Sequence, residues 1–281
     1  MTAPLPATET LDLAARDGVL HVTLARPEVR NAMSARMVEE LQAVLAAVAD
    51  DRSVRALVLR GSGGHFCAGG DIKDMSAARS ASFEPGDGDP IAIMNRTFGS
   101  MLAAIEGAPQ PVVAVCEGAV MGGGFGLACV ADVTIAVEGA KFRLPETSLG
   151  VTPAQIAPFI VRRLGLTQAR RLAVTGGRLD AHGAVDLGLA HLYAPDEAAA
   201  ASALEETLAS IRGCEPTAVA ATKRLMLRMG RDPLDEVLDD AAAEFATLAR
   251  SDAAVEGMTA FMQRRKPSWA TPTPSSSPEQ P

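Results

Sequence analysis

Two glycine-rich stretches and one glutamate are the parts of this sequence best suited to chemistry. Residues 122–124 are three consecutive glycines that open an apolar segment, residues 125–130, which is long enough for a short helix. Glycines at a helix start leave the first backbone N–H groups uncovered, so an oxyanion can approach them and the positive end of the helix dipole. About twenty residues later, Glu146 follows Pro145 in an apolar, turn-rich setting. A donor loop followed by one semi-buried acid indicates proton transfer beside a developing negative charge.

The other glycine-rich stretch, residues 61–73, reads GSGGHFCAGGDIK and directly follows a short apolar run. So many small residues after a strand imply that the backbone approaches something closely. The simpler interpretation is a flexible turn into a helix, with Asp71 as the helix cap. Taken alone the stretch favours neither interpretation, but its combination with the triple glycine favours a ligand-binding loop. His65 lies beside this loop, where an ordinary surface role is expected.

Composition limits the classes of protein that fit. The 281 residues are 48% hydrophobic and 4% aromatic, which is typical of a globular chain with a sizeable core. A net charge of −8, with scattered lysines and arginines, argues against a nucleic-acid partner. The four cysteines have no C-x-x-C spacing, so we expect the reduced thiols of a cytoplasmic protein. No signal peptide is apparent, and polar residues interrupt the apolar region 112–137, so we expect no membrane span.

Periodicity predicts a mixed α/β chain that becomes wholly helical towards its C-terminus. Residues 11–24 predict a hairpin, Ser34 caps a helix that ends near residue 50, and residues 55–59 form a buried strand, an order that implies a parallel sheet. Further helices are predicted over 91–105, 152–164, 168–175, 181–187, 197–212, 217–228, 234–250 and 253–265. Residues 76–90 are predicted to form a mobile surface loop. The predicted organisation is a core over 8–195, a helical subdomain over 196–266 and a disordered tail over 267–281.

Several standard motifs fail, and each failure narrows the possible functions. Gly118 and Gly123 have P-loop spacing, but Gly124 stands where the lysine is required. Cys129 occupies the third glycine position of a dinucleotide-binding fingerprint. G-x-S-x-G is absent, and the four histidines lie far apart, so neither a serine hydrolase nor a metal site is indicated.

Two segments together resemble the crotonase, or enoyl-CoA hydratase/isomerase, superfamily. They are HFCAGGDIKDM (65–75) and GAVMGGGFGLACVADVTIAVEGAKFRLPETSLGVTP (118–153), and the similarity extends from about residue 11 to residue 269. The resemblance implies a spiral of ββα units and a C-terminal helical part that forms trimers, often paired into hexamers. It also implies an acyl-CoA thioester as the substrate, with no cofactor beyond the CoA that the substrate carries.

The resemblance further implies roles for individual residues. The amides of Ala68 and Gly123 would donate to the thioester oxygen, with Glu146 as the acid–base residue. CoA would lie along the first loop, with Arg26 and Lys73 as charge partners for its phosphates, while Phe261 and Arg264 would reach the CoA of a neighbouring subunit. The implied binding residues are Arg26, Ala68, Gly69, Gly70, Asp71, Ile72, Lys73, Gly123, Phe261 and Arg264.

The sequence departs from the usual hydratase pattern at one catalytic position. Typical hydratases hold water between two glutamates, but Gly126 stands at the first of these positions and only Glu146 is present. One carboxylate must therefore act as both base and acid, or a water or another residue must help. The simpler role for Glu146 is a turn carboxylate that caps a backbone N–H, while Glu117 and Asp132 are weaker alternatives for the acid.

Three members of the superfamily are compatible with a single glutamate. The sequence is most similar to bacterial hydratases of methylglutaconyl- and isohexenylglutaconyl-CoA, which also carry glycine at the first position and PAQI or PAVI after the second. A Δ3,Δ2-enoyl-CoA isomerase is the alternative, because moving one proton across an allyl system needs one carboxylate. A protein that binds acyl-CoA without turnover is the non-enzymatic alternative.

Overall fold

The computed structural model describes residues 4–84 and 86–270, which form two β-sheets packed among helices. The strands are β1 (Leu11–Arg16), β2 (Val19–Leu24), β3 (Ala56–Gly61), β4 (Val112–Cys116), β5 (Ala119–Met121), β6 (Val133–Val137), β7 (Lys141–Arg143), β8 (Arg178–Leu179) and β9 (Leu192–Ala194). The larger sheet has the order β1-β2-β3-β4-β6-β9, and the smaller one has the order β5-β7-β8.

The predicted hairpin and parallel sheet are confirmed. Asp17 and Gly18 both have positive φ angles between β1 and β2, as expected for the two central residues of a tight hairpin turn. β1 pairs antiparallel with β2, while every other neighbouring pair in the larger sheet is parallel. Because the carboxyl ends of the parallel strands lie at one edge, the loops after β3 and β4 are brought to the same edge of the sheet.

The helices occupy both faces of the larger sheet. They are α1 (Ala35–Val48), α2 (Ile72–Ser80), α3 (Pro90–Glu106), α4 (Gly123–Val130), α5 (Ala157–Thr175), α6 (Ala181–Asp186), α7 (Glu197–Gly213), α8 (Pro216–Arg228), α9 (Leu234–Ala249) and α10 (Asp252–Met262). Side-chain caps start several of them; the Ser34 hydroxyl, for example, accepts from the Met37 amide at 3.2 Å. No helix in the described part of the chain is long and apolar enough to cross a bilayer.

β4 shows why the apolar run at residues 112–116 is continuous. Its residues are buried on both faces, and alternate side chains enter two different clusters. Val112 and Ala114 join the core with α1, α3 and α4, whereas Val113 and Val115 join a second cluster covered by α7. Because both faces of β4 are covered, all its side chains are apolar, and its sequence does not alternate between apolar and polar residues.

Three predictions about local structure are wrong. Residues 76–80 are helical because Asp71 caps α2, so the predicted loop over 76–90 starts later. The helix predicted from residue 152 starts only at Ala157, whereas the predicted break before residue 168 is confirmed, because Gly165 (φ 71°, ψ 158°) is not helical and divides Ala157–Thr175 into two helices. Ser268–Ala270 form a 3₁₀ turn in which the Trp269 indole donates to the Gly213 carbonyl at 3.1 Å, so order extends past residue 267. Residues 271–281 of the predicted tail lie outside the described residues.

Candidate active site

The loop after β3 is fixed by a buried side-chain amide. Asn31 is fully buried, and its Nδ2 donates to the carbonyls of Ser62 at 2.9 Å and His65 at 2.6 Å. Its Oδ1 accepts from the Arg26 amide at 2.9 Å. A side chain that meets three backbone groups ties the start of the loop to the segment before α1, so the loop has a defined position before any ligand binds.

The middle of this loop runs alongside β5. The Cys67 amide donates to the Ala119 carbonyl, the Met121 amide donates to the Cys67 carbonyl, and both distances are 2.9 Å. His65 adds a further link, since its Nδ1 accepts from the Ala119 amide at 3.1 Å. These bonds bring the two glycine-rich stretches together, as the sequence predicted.

Glycine is required where the two stretches meet. Gly69 has φ +102°, and a Cβ there would lie 3.1 Å from the Met121 carbonyl oxygen. Gly122 has φ +51°, and a Cβ there would lie 3.0 Å from Glu146 Oε1 and 3.7 Å from the Gly69 Cα. Side chains would therefore push the two loops and the glutamate apart.

One predicted oxyanion donor is wrong. The Ala68 amide already donates to the Arg30 carbonyl at 3.0 Å, so its hydrogen is not free for a ligand. The Gly70 amide differs from that of Ala68. Met33 lies opposite Gly70 but hydrogen-bonds to its two neighbours: the Met33 amide donates to the Gly69 carbonyl, and the Met33 carbonyl accepts from the Asp71 amide. Among the described residues, no acceptor is paired with the Gly70 amide. Gly70 therefore replaces Ala68 as the available donor of this loop.

The amide predicted as the donor of the other loop, that of Gly123, is unpaired within residues 4–84 and 86–270. Gly123 is the first residue of α4, whose first turn cannot be bonded within the helix, and its amide has no acceptor in the part of the chain that the structure describes. The Phe98 ring packs on this glycine, since Phe98 Cζ lies 3.2 Å and Met33 Cε 3.6 Å from the position of a Cβ on Gly123. The donor is thus set against an apolar wall, where a hydrogen bond to a charged oxygen is strengthened.

Glu146 stands beside this helix start in an unusual electrostatic state. Its Oε2 is buried and has no hydrogen-bond partner within the described residues. Burial raises the pKa of Glu146 above the ordinary glutamate value, and the hydrogen bond from its own backbone amide offsets this only partly. The predicted alternatives are engaged elsewhere: Asp132 accepts from the Val112 amide and from Lys223, and Glu117 pairs with Arg60. Glu146 is therefore the carboxylate with capacity for a new partner.

The space around Gly126 is closed. A Cβ at Gly126 would lie 2.5 Å from Ile156 Cγ2 and 3.3 Å from Leu102 Cδ1. Ile156 is 3% exposed, so it fills the volume that a longer side chain at position 126 would need. Glu146 accordingly has no second carboxylate opposite it on α4.

Of the residues predicted to contact CoA along the first loop, two are already paired with protein groups and two are exposed. The Arg26 guanidinium pairs with Asp71 at 2.7 Å and donates to the Ala32 carbonyl at 2.6 Å, so both groups already support the loop. Asp71 also caps α2 by accepting from the Lys73 amide at 2.8 Å. Ile72 is 80% exposed and Lys73 is exposed, so both remain available to a ligand along this loop.

Phe261 and Arg264 are not joined to the loops in this chain. The C-terminal segment is fastened near the start of β3, where Arg55 donates to the Trp269 carbonyl at 3.0 Å, whereas the candidate site follows the end of that strand. Phe261 is 85% exposed. A role of these two residues at a CoA therefore requires a second copy of the chain and stays a prediction.

Sequence reasoning missed the residues that shape the site from outside the motifs. Gly70 was assigned to binding but not to the oxyanion, because spacing cannot tell which amide of a loop is already bonded. Phe98 and Ile156 carry no chemical signal in the sequence, although Ile156 ends the PAQI segment at 153–156 that is shared with the bacterial hydratases. No group of three His, Cys, Asp or Glu side chains that could hold a metal ion occurs in residues 4–84 and 86–270.

Comparison with known proteins places the chain in a family. The Enoyl-CoA hydratase/isomerase family profile matches residues 14–272. Among solved structures, Pseudomonas aeruginosa AtuE is 58% identical with a TM-score of 0.90 and covers 94% of this chain and 100% of its own. An enoyl-CoA hydratase/isomerase from Marinobacter aquaeolei is 52% identical with a TM-score of 0.91, covering 93% and 99%.

Three further relatives share about 30% identity with this chain. A probable enoyl-CoA hydratase of Bacillus subtilis is 31% identical over 92% of this chain and 98% of its own. The 2,3-dehydroadipyl-CoA hydratase of Escherichia coli is 30% identical over 89% and 94%, respectively. A peroxisomal Delta(3,5)-Delta(2,4)-dienoyl-CoA isomerase of Arabidopsis thaliana is 31% identical over 90% and 92%.

The chain belongs to the enoyl-CoA hydratase/isomerase family. The predicted superfamily and the crotonase-like α/β fold with C-terminal helices are thereby confirmed. Family members act on acyl-CoA thioesters, so the general activity is that of a hydratase or an isomerase, and relatives of both kinds match this chain at similar identity.

Proposed function

We propose that this protein hydrates a 2-enoyl-CoA thioester, with Glu146 as the one carboxylate that moves protons. The observation that carries the proposal is Glu146 Oε2, which is buried beside the start of α4 without a hydrogen-bond partner among the described residues. A buried acceptor with no partner is costly to maintain, so its presence in a loop cluster indicates that a substrate or water completes it.

The two unpaired amides support the binding mode. In the proposed complex the thioester oxygen accepts from the N–H groups of Gly70 and Gly123, which lie in loops that the hydrogen bonds of Cys67 hold together. Donors already in position stabilise the negative charge that develops on this oxygen, and each contributes about 3 kcal/mol in comparable sites. No metal or redox group enters the proposed reaction.

In the proposed reaction, one carboxylate carries out both proton transfers. Ionised Glu146 takes a proton from water as the water oxygen bonds to the β-carbon, and the electron pair of the double bond moves through the α-carbon to the thioester oxygen. The resulting enolate returns this pair to the α-carbon, which takes the proton from the Glu146 carboxyl. Water is thereby added and the carboxylate is regenerated. The raised pKa of Glu146 suits the first step, because the conjugate base of a weaker acid takes a proton from water more readily.

The closed space at Gly126 favours isomerisation as the alternative to hydration. With Ile156 in that space, no second carboxylate can hold the attacking water from the α4 side. A Δ3,Δ2-enoyl-CoA isomerase needs only one carboxylate, which removes a proton at one carbon and returns it at another. We retain isomerisation as the second candidate, and acyl-CoA binding without turnover as the non-enzymatic one.

The substrate subtype and the assembly are part of the proposal. Gly126 and the PAQI segment at 153–156 support a hydratase of branched glutaconyl-CoA thioesters, which belongs to branched acyl-CoA catabolism. The segment from α8 to α10 exposes many large apolar side chains, which supports a homotrimer or a dimer of trimers. They are Met226, Met229, Leu234, Leu238, Phe245, Val255, Met258, Phe261 and Met262. Light scattering of the purified chain tests the assembly, and a cytoplasmic location stays a prediction.

A panel of three thioesters tests the reaction. We expect 3-methylglutaconyl-CoA to lose its conjugated thioester absorbance with the protein, with crotonyl-CoA turned over more slowly. A gain of this absorbance from 3-hexenoyl-CoA, without loss from the other two, would show isomerisation and contradict hydration. Binding of all three without spectral change would leave only the acyl-CoA-binding role.

A further inference from the structure

Arg163 is a half-buried cation whose partners are backbone carbonyls instead of carboxylates. Its Nε donates to the Cys129 carbonyl at 3.1 Å, and its Nη2 donates to the Ala128 carbonyl at 3.2 Å and to the Ala131 carbonyl. Its Nη1 lies 3.1 Å from His191 Nε2. Across the described chain Arg163 forms no ion pair, so its charge and its fork of N–H groups serve one short stretch of backbone.

This stretch is the end of α4, which has no other complete cap. The helix ends at Val130, and Ala131 is already extended, with φ −71° and ψ 143°, so no left-handed residue turns a backbone amide back to the helix. The last carbonyls of a helix have no partner within it. Apart from the Thr134 hydroxyl, which reaches the Ala128 carbonyl at 3.0 Å, the guanidinium is the only donor to these oxygens in the part of the chain that is described.

α4 has little intrinsic stability to keep it in place. Three of its eight residues are glycines, at 123, 124 and 126, and each costs about 1 kcal/mol relative to alanine. The residue that caps its start, Gly122, supplies no side-chain hydrogen bond. The position of α4 therefore depends on its surroundings, and a cation at its C-terminal end also interacts favourably with the negative end of its dipole.

The position of α4 in turn sets the distance between the two unpaired amides. Gly123 is the first residue of the helix, and a Cβ on Gly124 would lie 2.4 Å from the Cys67 carbonyl oxygen, so the helix packs directly on the loop that carries Gly70. Eight helical residues span about 12 Å, so Arg163 acts on the end opposite the donor. A tilt or slide of α4 would separate two amides that must reach one oxygen.

We propose that Arg163 is a positioning residue of the oxyanion site, which holds α4 so that the Gly123 amide reaches the thioester oxygen. The inference rests on the proposed function, because this oxygen belongs to its substrate. The guanidinium fork holds three carbonyls at once, whereas a lysine would keep the charge without the fork. The charge also offsets the negative end of α4, so the positive end at Gly123 acts on the developing oxyanion with less opposition.

A bound thioester that cannot react reports this position directly. Butyryl-CoA has no double bond to hydrate, and hydrogen bonds from the two amides lower the infrared stretching frequency of its thioester carbonyl, labelled with ¹³C. In Arg163→Met this lowering should shrink by about half, because one of two donors is displaced. The matched control is Arg162→Met, whose arginine pairs with Glu106 at 2.9 Å instead of with α4, and its frequency should equal that of the wild type.

The kinetic signature should be a change in kcat with little change in KM. For the preferred thioester, Arg163→Met should lower kcat about tenfold, less than the loss of a whole donor, and leave KM within about threefold. Arg163→Lys should give an intermediate kcat and carbonyl frequency, and it carries the test if the methionine variant does not fold. Thermal melting of all variants verifies folding.

The outcomes separate this inference from the proposed function. A wild-type carbonyl frequency and kcat in folded Arg163→Met or Arg163→Lys, or an equal loss in Arg162→Met, would overturn the role of Arg163 and leave hydration standing. A wild-type protein that lowers the carbonyl frequency of butyryl-CoA but hydrates no thioester would remove hydration alone. Absence of any lowering in the wild type would remove the oxyanion site, and the inference with it.

Discussion

Two glutamates of this protein, the buried Glu40 and the half-buried Glu146, have opposite surroundings. The Glu40 carboxylate, with a side chain 4% exposed, accepts from the Glu9 amide at 2.9 Å, from the Thr10 amide at 3.0 Å and hydroxyl at 2.6 Å, and from Arg36 at 2.9 Å. Burial alone would raise its pKa, but these hydrogen bonds outweigh burial and lower it. Glu146 has a buried oxygen with no partner in the described chain, and its pKa is raised by burial.

The contrast shows that burial does not by itself mark a functional carboxylate. Glu40 is ionised and fully used, since it fastens the N-terminal segment to α1. Glu146 is left incomplete next to two amides, of Gly70 and Gly123, that are also without partners in the described residues. A site in which donors and an acceptor are unfilled at the same place is prepared for a ligand that needs both.

The largest expected effect is on the rate of hydration, which should depend on Glu146 but not on Glu40. Glu146→Gln should lower kcat of thioester hydration by about 10²–10⁴-fold, because the amide cannot take a proton from water. Glu40→Gln is the matched control, with the same change at a buried site, and should leave kcat within about threefold. Steady-state rates on the preferred thioester measure both.

Binding must be checked beside these rates. Glu146→Gln should still bind a CoA ester, because the oxyanion donors and the CoA contacts are intact, and calorimetric titration with the substrate measures this. Undiminished hydration by Glu146→Gln would remove the proposed role of this carboxylate, whereas a comparable loss in Glu40→Gln would show that any buried glutamate is required.

The next largest effect concerns the Gly70 amide, the proposed oxyanion donor near Glu146. Gly70→Pro removes the N–H group, and we expect a fall of about 10²–10³-fold in kcat. Gly70→Ala keeps the N–H, and its new methyl group meets only the Met75 sulfur at 3.7 Å, so this control should remain active. If Gly70→Pro kept full activity, the oxyanion donor would lie elsewhere in the loop. Circular dichroism of both variants verifies that the loop change does not unfold the protein.

The sequence predicted much of the fold because most elements carry strong local signals. The hairpin, α1 with its Ser34 cap, the buried run of β4 and the C-terminal helices follow from periodicity and capping residues. Strands β5, β7 and β8 have two or three residues each, which is too short for any pattern. The helical residues 76–80 of the predicted loop follow from the Asp71 cap of α2, whereas the order at Trp269 depends on a tertiary contact with Gly213 that a local pattern cannot report.

The site was predicted in its residue types but not in its details. The two glycine-rich stretches and Glu146 could be found, because close backbone approach and lone acids leave a mark in the sequence. Which amide is free could not, since this depends on Arg30 accepting from Ala68 across a loop. The absence of the first glutamate was visible as Gly126, but the side chain of Ile156, which fills the space beside it, appears only in the packing.

The smallest expected effect is on stability. Replacing Glu40 and replacing Glu146 should change the stability in opposite directions. Glu40 has a lowered pKa, so its ionised form stabilises the fold above the pKa it has when unfolded, and this contribution is lost as pH falls through the lowered value. Glu146 has a raised pKa, so its ionised form costs stability above that raised value, and the cost disappears as pH falls through it.

At pH 7, Glu40→Gln should therefore lower the melting temperature by about 3–10 °C, whereas Glu146→Gln should raise it by about 1–4 °C. At pH 4 both differences should shrink, because Glu146 is then largely protonated and Glu40 is closer to protonation. Thermal melts of both variants at the two pH values measure this. A lower melting temperature for Glu146→Gln at pH 7 would mean that its carboxylate has a structural partner, and the two glutamates would then be alike.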